Sequence, residues 1–287
     1  MPRLAVITPS YAPDFELCAD LHRSVQALRD PAVEHHIIVP RRDLALFRRL
    51  GGDGVQVHEV SEFLPRSFLA LPGVNGWVNA RRPFPPLRGW ITQQIVKLAA
   101  TARLDTDVAL LVDSDLVFVR PFGTELFRRD GVTRFYRLPG AIDERLPRHV
   151  LWHQVARRLL GLPPAEPPFA DYICWPAPWD PAIVRAMLAR VEEVTGRPWA
   201  TAVGAQLHFS EEILYGVFVD EVLGATGFTT ADMLCPAYSD EVPLDAAGLD
   251  AFLGRLGSAD IAVMISAKSG TPLEVRRAAL ARLLRKE

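Results

Sequence analysis

Short apolar runs alternate with stretches of helical spacing through the first 120 residues. Leu4-Ala5-Val6-Ile7 is an apolar run that ends in Thr8-Pro9-Ser10-Tyr11, and Leu17, Leu21, Val25 and Leu28 then recur at helical intervals between Asp14 and Leu28. Ile37-Ile38-Val39-Pro40 predicts a second buried strand. A helix is expected from about Arg41 to Leu50, stopped by Gly51-Gly52, and Val55-Gln56-Val57 predicts a third strand. Strands that alternate with helices predict an α/β fold with a mostly parallel, doubly wound central sheet.

From Glu62 to Gly89 the period is lost among Pro65, Pro72, Pro83, Pro85 and Pro86, which predicts a long surface excursion of the kind that often carries function. A helix from Trp90 to Arg103 leads into Val108-Ala109-Leu110-Leu111-Val112, the continuous apolar run of a central parallel strand. The second half is more mixed. Short strands are expected at Leu116 to Val119 and Thr133 to Arg137, a proline-dense connection at Pro163 to Pro168, and helices at Pro181 to Val194, at Ser210 to Leu223 and from Pro272. A further buried strand is expected at Ile261 to Ile265. No internal repeat or low-complexity tract interrupts what reads as one domain spanning 1–287.

The 287 residues are 49% apolar and 23% charged, the mixture of an ordered globular domain. A formal charge of −2 and a pI near 6.4 exclude the broad basic field of a nucleic-acid binder. Cys18, Cys174 and Cys235 are too scattered for a disulfide framework or a zinc site and fit a reducing cytoplasm. No stretch has the apolar length of a signal-peptide core or a membrane span, so a soluble protein is expected. From Glu274 to Glu287, Arg276, Arg277, Arg282, Arg285 and Lys286 interleave with leucines. That pattern suits the solvated face of a terminal helix, with contact to an anionic membrane as the lesser alternative.

The sharpest chemical feature is Val112-Asp113-Ser114-Asp115-Leu116, where an apolar strand runs into two carboxylates separated by one small residue. Ligands of open α/β sheets bind outside the carboxyl ends of strands. Two acids there repel unless a cation lies between them, and hard oxygen ligands suit Mn²⁺ or Mg²⁺ shared with substrate phosphates. A phosphatase of the haloacid type also places Asp-x-Asp after a strand, but that strand stands near the start of its fold.

The chain resembles a bacterial family of glycosyltransferase-type proteins with the GT-A fold, formerly a domain of unassigned function. The residues that carry the resemblance are Ile7-Thr8-Pro9-Ser10-Tyr11, Gly89-Trp90 with Gln93-Gln94 and Lys97, Leu111-Val112-Asp113-Ser114-Asp115, Phe209-Ser210-Glu211 with Tyr215-Gly216, and Ser266-Ala267-Lys268-Ser269-Gly270. The family pattern has an aromatic residue after the Ser-Glu pair, where this chain has Glu212.

The resemblance implies a GT-A-like domain in which about 1–120 binds a nucleotide-sugar, UDP-sugar by default, and about 121–287 shapes the site of a small-molecule or glycan acceptor. Asp113 and Asp115 would hold the metal, with Asp115 also counted as catalytic. Thr8, Pro9, Ser10 and Tyr11 would line the nucleotide pocket, Gln94, Lys97 and Ser114 would approach the donor, and Lys268 and Ser269 would meet the diphosphate. Glu211 would enter the acceptor pocket as general base, with inversion at the anomeric carbon. The plainer reading of Ser210-Glu211-Glu212 is a helix N-cap followed by acids that complement the dipole.

His208 is a weak third metal ligand. His35, His36 and His58 stand where exposed polar residues are routine, and Trp175 and Trp179 are the better candidates for an acceptor wall among the tryptophans of the second half. Two other functions compete with transfer. A sugar nucleotidyltransferase would want a Gly-rich basic loop where Thr8-Pro9-Ser10-Tyr11 stands. A non-catalytic sugar- or nucleotide-binding protein would keep the fold alone.

Overall fold

The computed structural model describes residues 3–71, 76–80, 82–225 and 227–285. Strands β1 (Leu4–Pro9), β2 (Glu34–Val39) and β3 (Val55–Glu59) run parallel in the order β1-β2-β3, with helix α1 (Phe15–Leu28) after β1. The helix expected over 41–50 is shorter: a 3₁₀ turn at Arg41–Asp43 and one α-turn at Leu44–Phe47. The region from Glu62 to Gly89 is not an irregular excursion. It folds into a three-stranded antiparallel meander, β4 (Phe68–Ala70), β5 (Gly76–Asn79) and β6 (Arg82–Arg88). Its proline-rich strand lies at the edge, where missing N–H groups cost no ladder bond. Pro72 lies outside the described residues.

Helix α2 (Gly89–Arg103) then feeds β7 (Val108–Leu111), which pairs in parallel with the far side of β1. After β8 (Leu116–Phe118) come α3 (Pro147–Leu160), β9 (Ala177–Trp179), α4 (Pro181–Thr195) and α5 (Glu211–Val217). Strand β9 adds to β7 antiparallel, so the central five-stranded sheet has four parallel strands and one reversed edge, in the order β9-β7-β1-β2-β3. The chain is therefore a mixed α/β domain around a mostly parallel sheet. Helix α3 was not legible in the apolar spacing, because its buried face includes His153 and Arg157.

Side-chain parity organises both faces. Leu4, Val6, Val108, Leu110 and Val112 pack with Leu21 and Val25 of α1, whereas Ile7, Ala109 and Leu111 pack with Ile91, Ile95 and Leu98 of α2. Continuing that alternation, Asp113 leaves β7 on the side of α2. A second small sheet completes the domain, with β10 (Ala237–Tyr238) parallel to β11 (Ala262–Ile265) and β11 antiparallel to β8. This pairing carries the segment after β11 back to the end of β7.

The last helix, α6 (Leu273–Leu283), leaves Arg277 and the following Arg285 exposed and Arg282 partly so, as expected of a solvated basic face, with one exception. Arg276 is buried, and its guanidinium donates to the carbonyls of Ile265, Ser266 and Thr271. Arg277 pairs with Glu16 and Asp20, and Arg282 with Asp250. Lys286 lies outside the described residues. Among the described residues no helix is long and apolar enough to cross a membrane.

Candidate functional site

The carboxyl ends of β1, β2 and β7 open onto a cleft of about 600 Å³. Of the twelve residues nominated for the metal, donor and general-base roles, ten line it: Pro9, Ser10, Tyr11, Gln94, Lys97, Asp113, Ser114, Asp115, Glu211 and Lys268. Two do not. Thr8 is fully buried on the α1 side of the sheet, where its hydroxyl meets His35 Nε2 at 3.1 Å. Ser269 is buried below its turn, with its hydroxyl 2.9 Å from that of Thr271. Their main chains belong to the right loops, but their side chains point into packing.

Asp113 meets Lys97, as the parity of β7 requires. Lys97 Nζ lies 2.9 Å from Asp113 Oδ1 and 3.1 Å from Glu211 Oε1, so one buried ammonium joins the end of β7 to the start of α5. Burial opposes that charge, but Asp113, Glu211 and Glu212 outweigh it and hold the lysine above its ordinary pKa. Removing one partner of such a buried pair typically costs about 3–5 kcal/mol, because a desolvated charge is left behind.

Asp115 is held from the other side. Its Oδ2 accepts the Ala267 N–H at 2.8 Å, which ties the acid pair to the turn after β11. Burial, then the neighbouring Asp113, pushes its carboxyl up to about 6 against that hydrogen bond. The turn is a 3₁₀ element, Ala267–Ser269, closed by Gly270 at φ 67°, a left-handed conformation that glycine adopts without strain. With Arg276 gripping the carbonyls on either side, the turn presents Lys268 at the cleft with its side chain exposed. Ser114 donates to Ser10 Oγ at 2.8 Å, which fixes the loop after β1 against the acid pair.

Helix α5 starts at the cleft wall. The Ser210 hydroxyl accepts from the Ile213 N–H and caps it, while the Glu211 N–H donates to Gln94 Oε1 at 3.0 Å. Both the capping role and a carboxylate in the cleft are therefore present. Gly216 lets this helix approach Tyr172, since a Cβ there would fall 2.1 Å from the ring. The Gln94 amide is oriented by the bond it accepts, and its Nε2 is a buried donor without a partner among the described residues.

Glu212 turns away from the cleft lining and accepts the Cys174 N–H at 3.2 Å. Burial and then Glu211 raise its pKa well above the carboxylate range, against the pull of Lys97. A raised folded-state pKa means that the neutral acid stabilises the fold at low pH, and this contribution is lost as pH rises through the folded value. Glu212→Gln, which keeps the neutral shape, should lose less stability between pH 5 and pH 8 than the parent does. Denaturant unfolding at the two pH values checks this, and parallel losses would place the titration elsewhere.

The histidines depart from expectation. His35 and His36 are buried, because β2 is covered on both faces; His35 stacks against His22, and His36 against His58. His208 is exposed and does not line the cleft. Trp175 lines the cleft, whereas Trp179 is buried against Tyr215 in the core. Asp14, Trp77 and Glu241 are cleft residues that sequence reasoning did not nominate, each standing alone in its segment without a motif; Trp90, from the Gly89-Trp90 pair that carries the resemblance, lines the cleft as well, though no role was expected of it. Among the described residues no group of three or more His, Cys, Asp or Glu side chains is arranged to hold a metal ion. Asp113 and Asp115 fit a cation that keeps waters and shares substrate phosphate oxygens, rather than one enclosed by protein.

A sequence family described as a family of unknown function (DUF6492) matches residues 4–243. No curated protein matches the chain. Among solved structures, a crystal structure of an active-site mutant of LgtC aligns with 98% of this chain and 95% of its own, at 13% identity and a TM-score of 0.44.

Proposed function

Since the chain belongs to this family of unknown function (DUF6492), we propose its activity from the cleft itself: a metal-dependent glycosyltransferase of GT-A type that moves a sugar from a nucleotide-sugar to an acceptor hydroxyl or amine. The observation that carries the reading is the meeting of Asp115 with the Lys268 turn across 152 positions of sequence, at the mouth of a parallel sheet. In this reading the two carboxylates would serve as hard oxygen ligands and the exposed Lys268 as a cation for the departing diphosphate.

Charge supports a metal. The lining carries the carboxylates of Asp14, Asp113, Asp115, Glu211 and Glu241 against the ammonium groups of Lys97 and Lys268, so a nucleoside diphosphate would meet net repulsion without a further cation. Asp113 and Asp115 would hold Mn²⁺ or Mg²⁺, which when bound neutralises charge on the departing diphosphate. Lys97 orients Glu211, whose carboxylate takes the acceptor proton as the new oxygen–carbon or nitrogen–carbon bond forms. The bond from the anomeric carbon to the diphosphate breaks, and its electron pair leaves with the phosphate.

Incubation with a panel of nucleotide-sugars and Mn²⁺, with acceptors and with water alone, should release nucleoside diphosphate from one of them. Consumption of nucleoside triphosphate and sugar phosphate instead would identify a nucleotidyltransferase, and binding without turnover would identify a sugar-binding protein. Lys268→Ala should weaken nucleoside diphosphate binding roughly tenfold while sparing the nucleoside, since an ammonium meets phosphate oxygens as a point charge. Calorimetry with both ligands tests that, and equal losses would remove Lys268 from the phosphate site.

A further inference from the structure

The indoles and the charge of the cleft together describe the acceptor. Trp77, Trp90 and Trp175, brought by β5, by the first turn of α2 and by the segment before β9, all line it. Trp90 is 36% exposed yet held in place: its ring packs 5.7 Å from that of Trp152, and the Arg148 guanidinium lies over it at 4.9 Å. An indole fixed in this way is a preformed surface for the C–H face of a pyranose ring.

The polar groups between the indoles favour hydroxyls. Asp14 is a half-buried carboxylate that makes no cap bond to its own helix, and Glu241 and Gln93 line the same space. The Gln94 amide, 2% exposed, lines it too, and its Nε2 has no acceptor among the described residues. A sugar hydroxyl donates and accepts at once, so it can serve a carboxylate and this amide together. An alkyl chain serves neither. The five carboxylates against two lysines also repel an anionic partner.

Resting on the transferase reading above, we propose that the acceptor is a saccharide without net negative charge, neutral or amine-bearing, stacked on Trp90 and Trp175. Calorimetry first identifies the nucleoside diphosphate among UDP, GDP and dTDP that binds with Mn²⁺. The loaded protein is then overlaid on an array of neutral, amine-bearing and uronate- or sulfate-bearing oligosaccharides beside immobilised fatty alcohols and peptides.

Neutral or amine-bearing saccharides should be retained and acidic ones not. Trp90→Ala and Trp175→Ala should each weaken retention roughly tenfold, Trp90→Phe should restore part of it, and nucleotide binding should stay at the parental value in all three. Retention of fatty alcohols, peptides or acidic glycans in preference, or of no saccharide by protein that binds nucleotide, would overturn this inference and leave the transferase reading intact. Failure of every nucleotide to bind would overturn both.

Discussion

Asp113→Asn and Asp115→Asn should each reduce transfer by at least roughly 10²-fold, in the range seen when one stabilising group is lost from a developing charge. Both substitutions keep the side-chain shape. In Asp113→Asn the amide oxygen can still approach Lys97, which retains the Glu211 carboxylate as its counter-charge, so the fold should persist. What is lost is a hard, charged oxygen for the proposed cation. Nucleotide binding that depends on Mn²⁺ in the parent should therefore become weak and indifferent to the metal in either variant.

The pH dependence separates the two positions. Burial and Asp113 push the Asp115 carboxyl up to about 6, and a cation binds the deprotonated form. Metal-supported nucleotide binding should thus weaken as pH falls through about 6, by roughly tenfold for each unit below it. Asp115→Asn should abolish that slope. Calorimetry across pH 5 to 8 provides the measurement, and full activity of the parent in excess chelator would end the metal assignment.

These residues were legible because a buried strand announces its own end. Five apolar residues followed by Asp-Ser-Asp leave little choice about where the carboxylates emerge, and the same logic located Lys268 after β11. Sequence order did not reveal which face each side chain takes. Thr8 stands one residue before Pro9 at the cleft, yet parity with Leu4 and Val6 turns it toward His22 and His35. Ser269 and Arg276 look like an exposed hydroxyl and a basic helix face; in three dimensions they form the underside of the Lys268 turn.

Nor does local pattern reach residues recruited singly. Trp77 comes from a meander whose prolines read as loop, Asp14 from a helix start, and Glu241 from a connection. Only the folding of β4 to β6 beside α2, and the return of β10 and β11 to β8, bring them to one cleft. Lys97 is intermediate. The resemblance nominated it together with Gln94, but its role as the link between Asp113 and Glu211 appears only when α5 is in place.

That link shapes the remaining expectation, a loss of turnover in Glu211→Gln with donor affinity retained. Glu211 is buried at the cleft wall, with its Oε1 fixed by Lys97 and its main-chain N–H by Gln94. A residue held through both its main chain and its carboxylate aims that carboxylate at one place, as a group that accepts a proton from a bound acceptor must be. The amide keeps the shape but cannot take that proton. Loss of a general base typically costs about 10²–10⁴ in rate, so kcat should fall by that order while nucleotide-sugar binding stays near the parental value. Glu212→Gln should cost less than about tenfold, since that neighbour faces Cys174 rather than the cleft.

A base opposite the departing diphosphate also fixes stereochemistry: the acceptor attacks in line and the anomeric configuration inverts. NMR of the product from an α-linked donor reads this directly. A retained configuration, or a Glu211→Gln enzyme of parental rate, would remove Glu211 as base and leave it as the partner that holds Lys97 against Asp113.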